Sequence, residues 1–161
     1  VYMPFYYTEA GLAITQGRQA GLTATILGAD GFGSIKDYAS AEDLEGTIYG
    51  SGYAPGTDSV AQFEADYEET YGEAVPNMFA PLAYDAAMLM CEGLKAAEEQ
   101  GLTAGSDEYK QAVIDAISSM SGVEGITGTY SFDEYNNPEK SVAMIQLQNG
   151  EETFTEFYSF S

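Results

Sequence analysis

Residues 23–33 read Thr-Ala-Thr-Ile-Leu-Gly-Ala-Asp-Gly-Phe-Gly, and this stretch decides the predicted fold. The β-branched and apolar side chains at residues 23–27 predict a strand. A glycine-rich loop at residues 28–33 follows directly, and a short helix is predicted at about residues 34–39. A strand that passes through such a loop into a helix is typical of parallel α/β sheets.

The segments on both sides of residues 23–33 repeat this order of elements. Residues 1–6 predict the end of a buried strand, and residues 10–20 predict a helix that Gly21 ends. Residues 46–51 predict a third strand. Strands and helices that alternate through short loops predict an α/β fold, with a parallel sheet flanked by helices.

The middle of the chain predicts helices that have no sheet of their own. A linker-like segment at residues 53–56 is followed by three predicted helices, at about residues 58–71, 78–99 and 106–120. No strand is predicted between Pro55 and Met120. Because a helix with an apolar stripe must bury that stripe, these helices are expected to pack on strands supplied by residues outside this chain.

The tail of the chain returns to the strand pattern. Strands are predicted at residues 128–132, 141–148 and 153–158. Asn149 and Gly150 separate the last two, and this dipeptide is a strong hairpin signal. The tail is therefore predicted to end in a hairpin.

Composition excludes several functions. The 161 residues carry 26 acidic and 5 basic side chains, and the net charge of −21 repels phosphate backbones, which excludes nucleic acid as a partner. The acidity fits either solubility in a salty environment or attraction of cations. Without a histidine, the chain lacks the commonest general base and zinc ligand, so no catalytic residue, metal site or cofactor is predicted. The single Cys91 lies in an apolar run and is predicted to be a buried thiol.

Two candidate side chains stand at the carboxyl ends of two predicted strands. In a parallel sheet these ends lie at the same edge. Asp30 comes after the strand at residues 23–27, and Tyr6 stands at the end of the strand before it. Ligands of open α/β sheets bind at this carboxyl edge. A carboxylate pairs with an ammonium group, and an aromatic ring can lie over a cation. Together the two residues predict an ammonium-binding site; taken singly, Asp30 could instead cap the next helix and Tyr6 could pack in the core.

The loop at residues 28–33 does not match other glycine-rich sites. Its spacing departs from the dinucleotide fingerprint, and an acid stands where phosphate would be repelled. The ladder of carboxylates that a calcium hand requires is missing as well. The carboxylate of Asp30 therefore remains as the candidate feature of this loop.

Several strings of the sequence together match one protein family. In their order and spacing they resemble the branched-chain amino-acid-binding proteins of ABC importers, the leucine/isoleucine/valine receptor type. The strings are Phe5-Tyr6-Tyr7-Thr8-Glu9-Ala10-Gly11, Gly17-Arg18-Gln19-Ala20-Gly21-Leu22, Ile26-Leu27-Gly28-Ala29-Asp30-Gly31, Leu44-Glu45-Gly46, Leu82-Ala83-Tyr84-Asp85-Ala86, Gly122-Val123-Glu124-Gly125-Ile126-Thr127-Gly128 and Phe132-Asp133.

The resemblance implies a type I periplasmic-binding fold, in which two α/β lobes are joined by three crossings of a hinge and close around the ligand. This chain resembles the C-terminal part of such a protein. Residues 1–52 and 140–161 would belong to the second lobe, and residues 53–139 to the first, whose N-terminal part is not in the chain. The architecture expected here is therefore an incomplete two-lobed one.

The resemblance also implies roles for four residues. Tyr6 is similar to a tyrosine that helps to hold the ammonium group of the ligand, and Asp30 stands where the family places an ammonium-binding acid. Gly31 would let the backbone approach the ligand, and Phe79 resembles an aromatic residue near the ligand's side chain. The family holds the ligand carboxylate with first-lobe residues that are absent here, so this chain would supply half of a site.

The implied function is capture of an amino acid, with a branched or aliphatic side chain, for delivery to the membrane permease of an ABC importer. The expected location is extracytoplasmic, periplasmic or as a cell-surface lipoprotein, and no enzymatic activity is expected. The alternative is a receptor or sensor of the same fold for another solute, such as an amide, urea or an aromatic acid.

The opening at Val1, without a signal peptide, is interpreted as that of a processed protein or an excised piece. The uncovered helix faces predict that the chain either pairs with a second copy by exchange of elements or is a proteolytic remnant of a longer chain.

Overall fold

The computed structural model describes residues 1–159 and divides into two compact units. The first unit holds residues 1–78 together with the tail that begins at Ser141, and the second holds residues 79–140. Residues 53–78 thus group with the first unit. The predicted lobe portions, 1–52 with 140–161 and 53–139, refer to a complete two-lobed protein and stay a prediction.

The predicted helices and strands occur in order except for the helix at residues 34–39, and three short elements are added, a helix at residues 41–44 and strands at residues 123–125 and 138–139. The helices are α1 (Tyr7–Gln19), α2 (Ala41–Leu44), α3 (Ala61–Tyr71), α4 (Phe79–Glu99) and α5 (Asp107–Ser118). The strands are β1 (Tyr2–Met3), β2 (Leu27–Gly28), β3 (Ile48–Ser51), β4 (Val123–Gly125), β5 (Gly128–Phe132), β6 (Pro138–Glu139), β7 (Val142–Gln148) and β8 (Glu151–Tyr158). Within residues 1–159, no helix is long and apolar enough to cross a membrane.

The first unit is built on a mixed sheet with the strand order β1-β2-β3-β7-β8. β1, β2 and β3 are parallel, as the sequence predicts, whereas β7 pairs antiparallel with β3, and β8 pairs antiparallel with β7. The hairpin between β7 and β8 turns at Asn149 and Gly150, whose φ angles of 53° and 85° suit the predicted turn. The α/β prediction is therefore confirmed, and the tail makes the sheet mixed.

The second strand, β2, is much shorter than the predicted strand at residues 23–27. The carbonyl groups just before it accept hydrogen bonds from Arg18 and Val1 instead of from a neighbouring strand. The carbonyl groups of Leu22 and Ala24 accept hydrogen bonds from the Arg18 guanidinium, at 2.8 and 3.0 Å. The carbonyl of Thr25 accepts one from the amino group of Val1, at 2.6 Å. Residues 23–25 are exposed, so the β-branched pattern there reflects a surface segment rather than a buried strand.

The core of the first unit lies between the sheet and α1, α2 and the loop after β2. It consists of fully or almost fully buried side chains: Met3, Ala10, Ile14, Ile26, Phe32, Ile35, Leu44, Tyr49, Ala54, Ala143, Ile145 and Leu147. The helix predicted at residues 34–39 is replaced by two 3₁₀ turns, Asp30–Phe32 and Ile35–Asp37. Ser34 between them has a left-handed backbone with φ 75°, which a continuous helix cannot contain.

The second unit combines a helix pair with a small sheet. α4 and α5 pack together around Ala97, Tyr109, Ala112 and Val113. β4, β5 and β6 form an antiparallel three-stranded sheet, in which the sequence predicted only the middle strand. In the described part of the chain, no strand lies between residues 55 and 120, as predicted.

Cys91 corrects a prediction, since its thiol is exposed rather than buried. The buried positions of α4 recur every four residues, at Pro81, Asp85, Leu89, Gly93 and Ala97. Cys91 lies two residues beyond Leu89, about 200° further around the helix, and therefore faces away from this stripe. The apolar run around Cys91 continues on the exposed side of the helix, where Met90 is 47% exposed.

Uncovered apolar side chains mark α3, α4 and α5, the three helices of the middle segment, as the sequence predicts. α3 contributes no buried residue. Large apolar side chains that are more than a third exposed on α3, α4 and α5 are Tyr71, Phe79, Tyr84, Met90, Leu94 and Ile114. These helices therefore leave part of their apolar surface open to solvent.

Candidate ligand-binding site

The carboxyl ends of three parallel strands form one edge of the first unit's sheet. Tyr2 pairs with Leu27, and Leu27 pairs with Ile48, so β1, β2 and β3 advance in step. The loops that leave these strands begin at Pro4, Ala29 and Gly52. Tyr6 lies in the first of these loops and Asp30 in the second. Tyr6 and Asp30 therefore follow adjacent strands at this edge, as the sequence predicts.

Tyr6 is the N-cap residue of helix α1. Its backbone is extended, with φ −82° and ψ 160°, and its carbonyl accepts the first helical hydrogen bond, from Ala10 N–H at 3.0 Å. The helix therefore starts three residues before the predicted position. The Tyr6 side chain is 64% exposed, which excludes the alternative that it packs in the core.

Asp30 is exposed and opens the 3₁₀ turn after β2. The N-cap positions of the two turns in this loop are held by Ala29 and Ser34, and neither turn has a side-chain cap. The alternative role of Asp30 as a helix cap therefore does not apply. Its carboxylate is left on the surface at the carboxyl edge of the sheet, where an ammonium ligand can reach it.

Gly31 is buried and brings the two loops together. A Cβ atom at this position would lie 2.8 Å from the carbonyl oxygen of Phe5 and 3.3 Å from the Cα and Cδ1 atoms of Tyr6. Gly28 is required for a similar reason, since its Cβ would lie 2.3 Å from the ring of the buried Phe32. Gly31 thus allows this loop to pack against the loop that carries Tyr6, and Gly28 makes room for the Phe32 ring.

Phe79 is the first residue of α4 and belongs to the second unit. Its ring is 45% exposed. The structure therefore brings Tyr6 and Gly31 into contact, with Asp30 next to Gly31 in the chain. The role of Phe79 as a ligand contact stays a prediction.

Sequence reasoning assigned no role to Asp85, although this carboxylate organises the second unit. Asp85 is fully buried in α4 and accepts four hydrogen bonds from the β4–β5 turn and from β5. The donors are Ile126 N–H (2.7 Å), Thr127 N–H (2.8 Å), Thr127 Oγ1 (2.7 Å) and the Tyr130 hydroxyl (3.0 Å). An acid within an otherwise apolar helix is the signal that could have identified it, because buried carboxylates require such partners.

Lys140 completes the surroundings of Asp85. Its Nζ donates to Thr127 Oγ1 at 2.6 Å and lies 4.8 Å from the centre of the Tyr130 ring. Burial lowers the pKa of Lys140, while the nearby charge of Asp85 opposes this shift. Burial also raises the pKa of Tyr130 to about 12. This group of side chains fastens the β4–β5 turn to α4 and is occupied by its own hydrogen bonds.

The comparisons with known proteins agree with this architecture. A family model described as periplasmic binding protein matches residues 1–152. The chain belongs to the periplasmic binding protein family. Its units form part of the type I periplasmic-binding fold. No curated protein sequence matches this periplasmic binding protein chain.

Solved structures of other periplasmic binding proteins are similar to most of the chain. A leucine-binding protein LivK from Thermotoga maritima is 27% identical with a TM-score of 0.81, over 98% of this chain and 44% of that one. The substrate-binding protein LivJ of a branched-chain amino acid transporter from Streptococcus pneumoniae, solved with isoleucine, is 30% identical with a TM-score of 0.77, over 98% of this chain and 43% of that one. The chain thus spans less than half the length of these two relatives.

A third structure shows that the same fold accepts another class of ligand. A solute-binding protein of an ABC transporter from R. palustris, solved with benzoate, is 20% identical with a TM-score of 0.73, over 98% of this chain and 42% of that one. At this level of identity the likeness concerns the fold alone. The S. pneumoniae and R. palustris proteins are substrate- or solute-binding proteins of transporters, and the T. maritima protein is a leucine-binding protein.

Proposed function

We propose that the protein containing this chain is the extracytoplasmic solute-binding component of an ABC importer and captures an amino acid with a branched or aliphatic side chain. The observation that carries the proposal is the exposed pair of Tyr6 and Asp30 at the carboxyl edge of the parallel strands. An acid and a phenol on neighbouring loops suit an ammonium group. The family membership supports a role in binding rather than catalysis.

The proposed ligand would be held at both ends. The Asp30 carboxylate pairs with the ammonium group of the ligand, the Tyr6 phenol adds a hydrogen bond or its ring face, and Gly31 lets the backbone approach. Phe79 contacts the side chain of the ligand. The carboxylate of the ligand would be bound by first-lobe residues outside this chain, so the chain supplies half of the site. No cofactor and no chemical step are involved.

Capture would work by closure of two lobes. Residues 1–52 and 140–161 would belong to one lobe, and residues 53–139 to the other. Because the ligand contacts both lobes, it stabilises the closed arrangement over the open one. The permease would then recognise the closed form and receive the amino acid. In this proposal the protein acts in the periplasm or as a lipoprotein at the cell surface.

The relatives support the choice of ligand. The S. pneumoniae protein at 30% identity is a substrate-binding protein for branched-chain amino acids and was solved with isoleucine, and the T. maritima protein is a leucine-binding protein. The benzoate-bound structure shows that a fold of this kind also accepts an acid without an ammonium group. A receptor for another small solute is therefore the second candidate, and the role of Asp30 distinguishes the two.

The test is calorimetric titration of the full-length protein that contains this chain, with leucine, isoleucine and valine, and with benzoate, acetamide and urea for comparison. A charge-assisted hydrogen bond to Asp30 is worth about 1.5–3 kcal/mol, so Asp30→Ala should weaken amino-acid binding by about 10- to 150-fold. The exposed Asp58 of the same unit provides the control, and Asp58→Ala should leave the affinity unchanged. Wild-type affinity of Asp30→Ala would exclude the assignment, and binding of benzoate or urea alone would favour the second candidate.

A further inference from the structure

A cavity of about 250 Å³ lies within the first unit. Its lining comes from the second 3₁₀ turn, β3, the segments at residues 53–55 and 75–78, β7 and β8. Tyr6, Asp30 and Gly31 do not line it. The cavity lies beside the end of β3 and does not include the three residues to which the proposed function assigns the ammonium group of the amino acid.

Three residues give the cavity a fixed wall. Tyr49, Ser51 and Tyr53 line it and are only 3–6% exposed. Ser51 Oγ accepts a hydrogen bond from Tyr53 N–H at 3.1 Å and contacts the sulfur atom of Met78 at 3.5 Å. The Tyr53 hydroxyl donates to the Glu64 carboxylate of α3. Because these side chains are held by other parts of the unit, the wall is formed before any ligand enters.

The charged groups of the cavity leave it negative. Among the described residues that line it, one ammonium group, that of Lys36, faces two carboxylates, those of Glu151 and Glu152. Lys36 Nζ pairs with Glu151 Oε2 at 3.3 Å, at the exposed rim. Glu152 is half-buried and accepts hydrogen bonds from Ser34 N–H at 3.3 Å and from the Tyr49 hydroxyl. Two carboxylates against one ammonium make the lining net negative by one charge.

The pKa shifts of the lining groups are consistent with a negative charge that the positive groups of the cavity do not fully neutralise. Burial raises the pKa of Glu152, and the neighbouring Asp37 adds to this, although Tyr49, Lys36 and Ser34 N–H act in the opposite direction. Burial and the Glu152 charge also raise the pKa of the Tyr49 hydroxyl. A carboxylate in such a place gains from a positive partner.

We propose that this cavity binds a small organic monocation with N–H donors, a primary alkylammonium, with the Glu152 carboxylate as its counter-ion. The rings of Tyr49 and Tyr53 in the wall suit the alkyl part and the cation. A volume below the usual range for drug-sized ligands suits a small occupant. Since the described residues contain no group of three or more acidic, His or Cys side chains that could hold a metal ion, an organic cation fits better than a metal.

The test is an NMR titration of the 161-residue chain with ethylammonium chloride, with sodium chloride and ethanol as comparisons of equal ionic strength and equal size. Saturable shifts of the Ser34, Tyr53 and Glu152 amides with ethylammonium alone are expected. Equal shifts with sodium chloride or ethanol would overturn the proposal. Shifts confined to the amides of Asp30 and Gly31 would overturn it as well, because they would place the cation at the site of the proposed function.

Two variants on strand β8 make the test specific. Glu152→Gln keeps the shape of the side chain and removes its charge, so ethylammonium affinity should fall by at least about tenfold. Glu156→Gln changes an exposed carboxylate of the same strand and should leave the affinity unchanged. Unaltered affinity in Glu152→Gln would contradict the proposal. If Glu152→Gln does not fold, the comparison of ethylammonium with ethanol in the wild-type chain decides the question.

Discussion

At the scale of the residue, Asp85 shows how two separate strings of the sequence, those around Asp85 and Gly125, serve one packing contact. Its carboxylate lies where a Cβ on Gly125 would come within 2.8 Å, so the glycine makes room for the acid. Ile126 and Thr127, next in the chain, donate their N–H groups to the same carboxylate. The strings around Asp85 and Gly125 that resemble the family thus belong to one structural contact rather than to a ligand site.

Replacement of Asp85 is expected to destabilise the second unit. Asp85→Ala removes the shared acceptor of four buried or half-buried donors, of which only the Thr127 and Tyr130 hydroxyls can still bond to each other, so the free energy of unfolding should fall by roughly 2–4 kcal/mol. Hydrogen exchange of the β4 and β5 amides measures the effect locally, and these amides should exchange faster.

The control for this variant lies on the same helix. Glu98 of α4 is exposed, so Glu98→Ala should change the free energy of unfolding by no more than about 0.5 kcal/mol. Equal exchange rates in Asp85→Ala and Glu98→Ala would show that the carboxylate of Asp85 does not hold the turn.

At the scale of the element, the interiors of the helices follow the sequence more closely than their ends do. α4 and α5 lie within one or two residues of their predicted bounds. α1 starts earlier than predicted, because the loop that carries Tyr6 turns directly into the helix. Helix ends depend on a few local hydrogen bonds, which periodicity does not encode.

The N-terminus of α5 depends on one side-chain hydrogen bond, and a single substitution can test its contribution to the helix. Ser106 Oγ accepts a hydrogen bond from Tyr109 N–H at 3.1 Å, the arrangement of an N-cap. Ser106→Ala should therefore cost about 1 kcal/mol and speed hydrogen exchange in the first turn of the helix. Ser119 at the other end donates to the Ala116 carbonyl, and Ser119→Ala should leave that first turn unchanged. An unchanged first turn in Ser106→Ala would contradict the capping role.

At the scale of the whole molecule, two properties of the chain oppose one another. The net charge of −21 repels a second copy of the chain. The exposed apolar side chains of α3, α4 and α5 favour burial against a partner. Salt weakens the first effect, because the screening length falls from about 30 Å at 0.01 M to about 3 Å at 1 M, and leaves the second in place.

Self-association of the 161-residue chain is therefore expected to rise with salt. Sedimentation velocity in 0.01 M and 1 M sodium chloride should show a larger dimer fraction at the higher concentration. Leu94 of α4 is 37% exposed, and Leu94→Gln should reduce that fraction, whereas Gln111→Ala on α5 changes a polar exposed residue and should not reduce it. A monomer at both salt concentrations that unfolds in one cooperative step would contradict the prediction of pairing.

The α/β class, the parallel strands β1–β3 and the loop that carries Asp30 can all be predicted from the sequence alone. Local pattern encodes these features, because alternation, helical spacing and glycine positions act between residues close in the chain. It also placed Tyr6 and Asp30 at one edge, since parallel strands end on the same side.

Only the tertiary structure decided which groups meet from distant parts of the chain. The exposed side of α4 that carries Cys91, the partners of Asp85, and the cavity shared by Lys36, Tyr49 and Glu152 all depend on it. The last three residues lie on the second 3₁₀ turn, β3 and β8, which are separated by as many as 116 positions between Lys36 and Glu152. Such contacts depend on how elements pack, and no local periodicity specifies the packing partner of a given face.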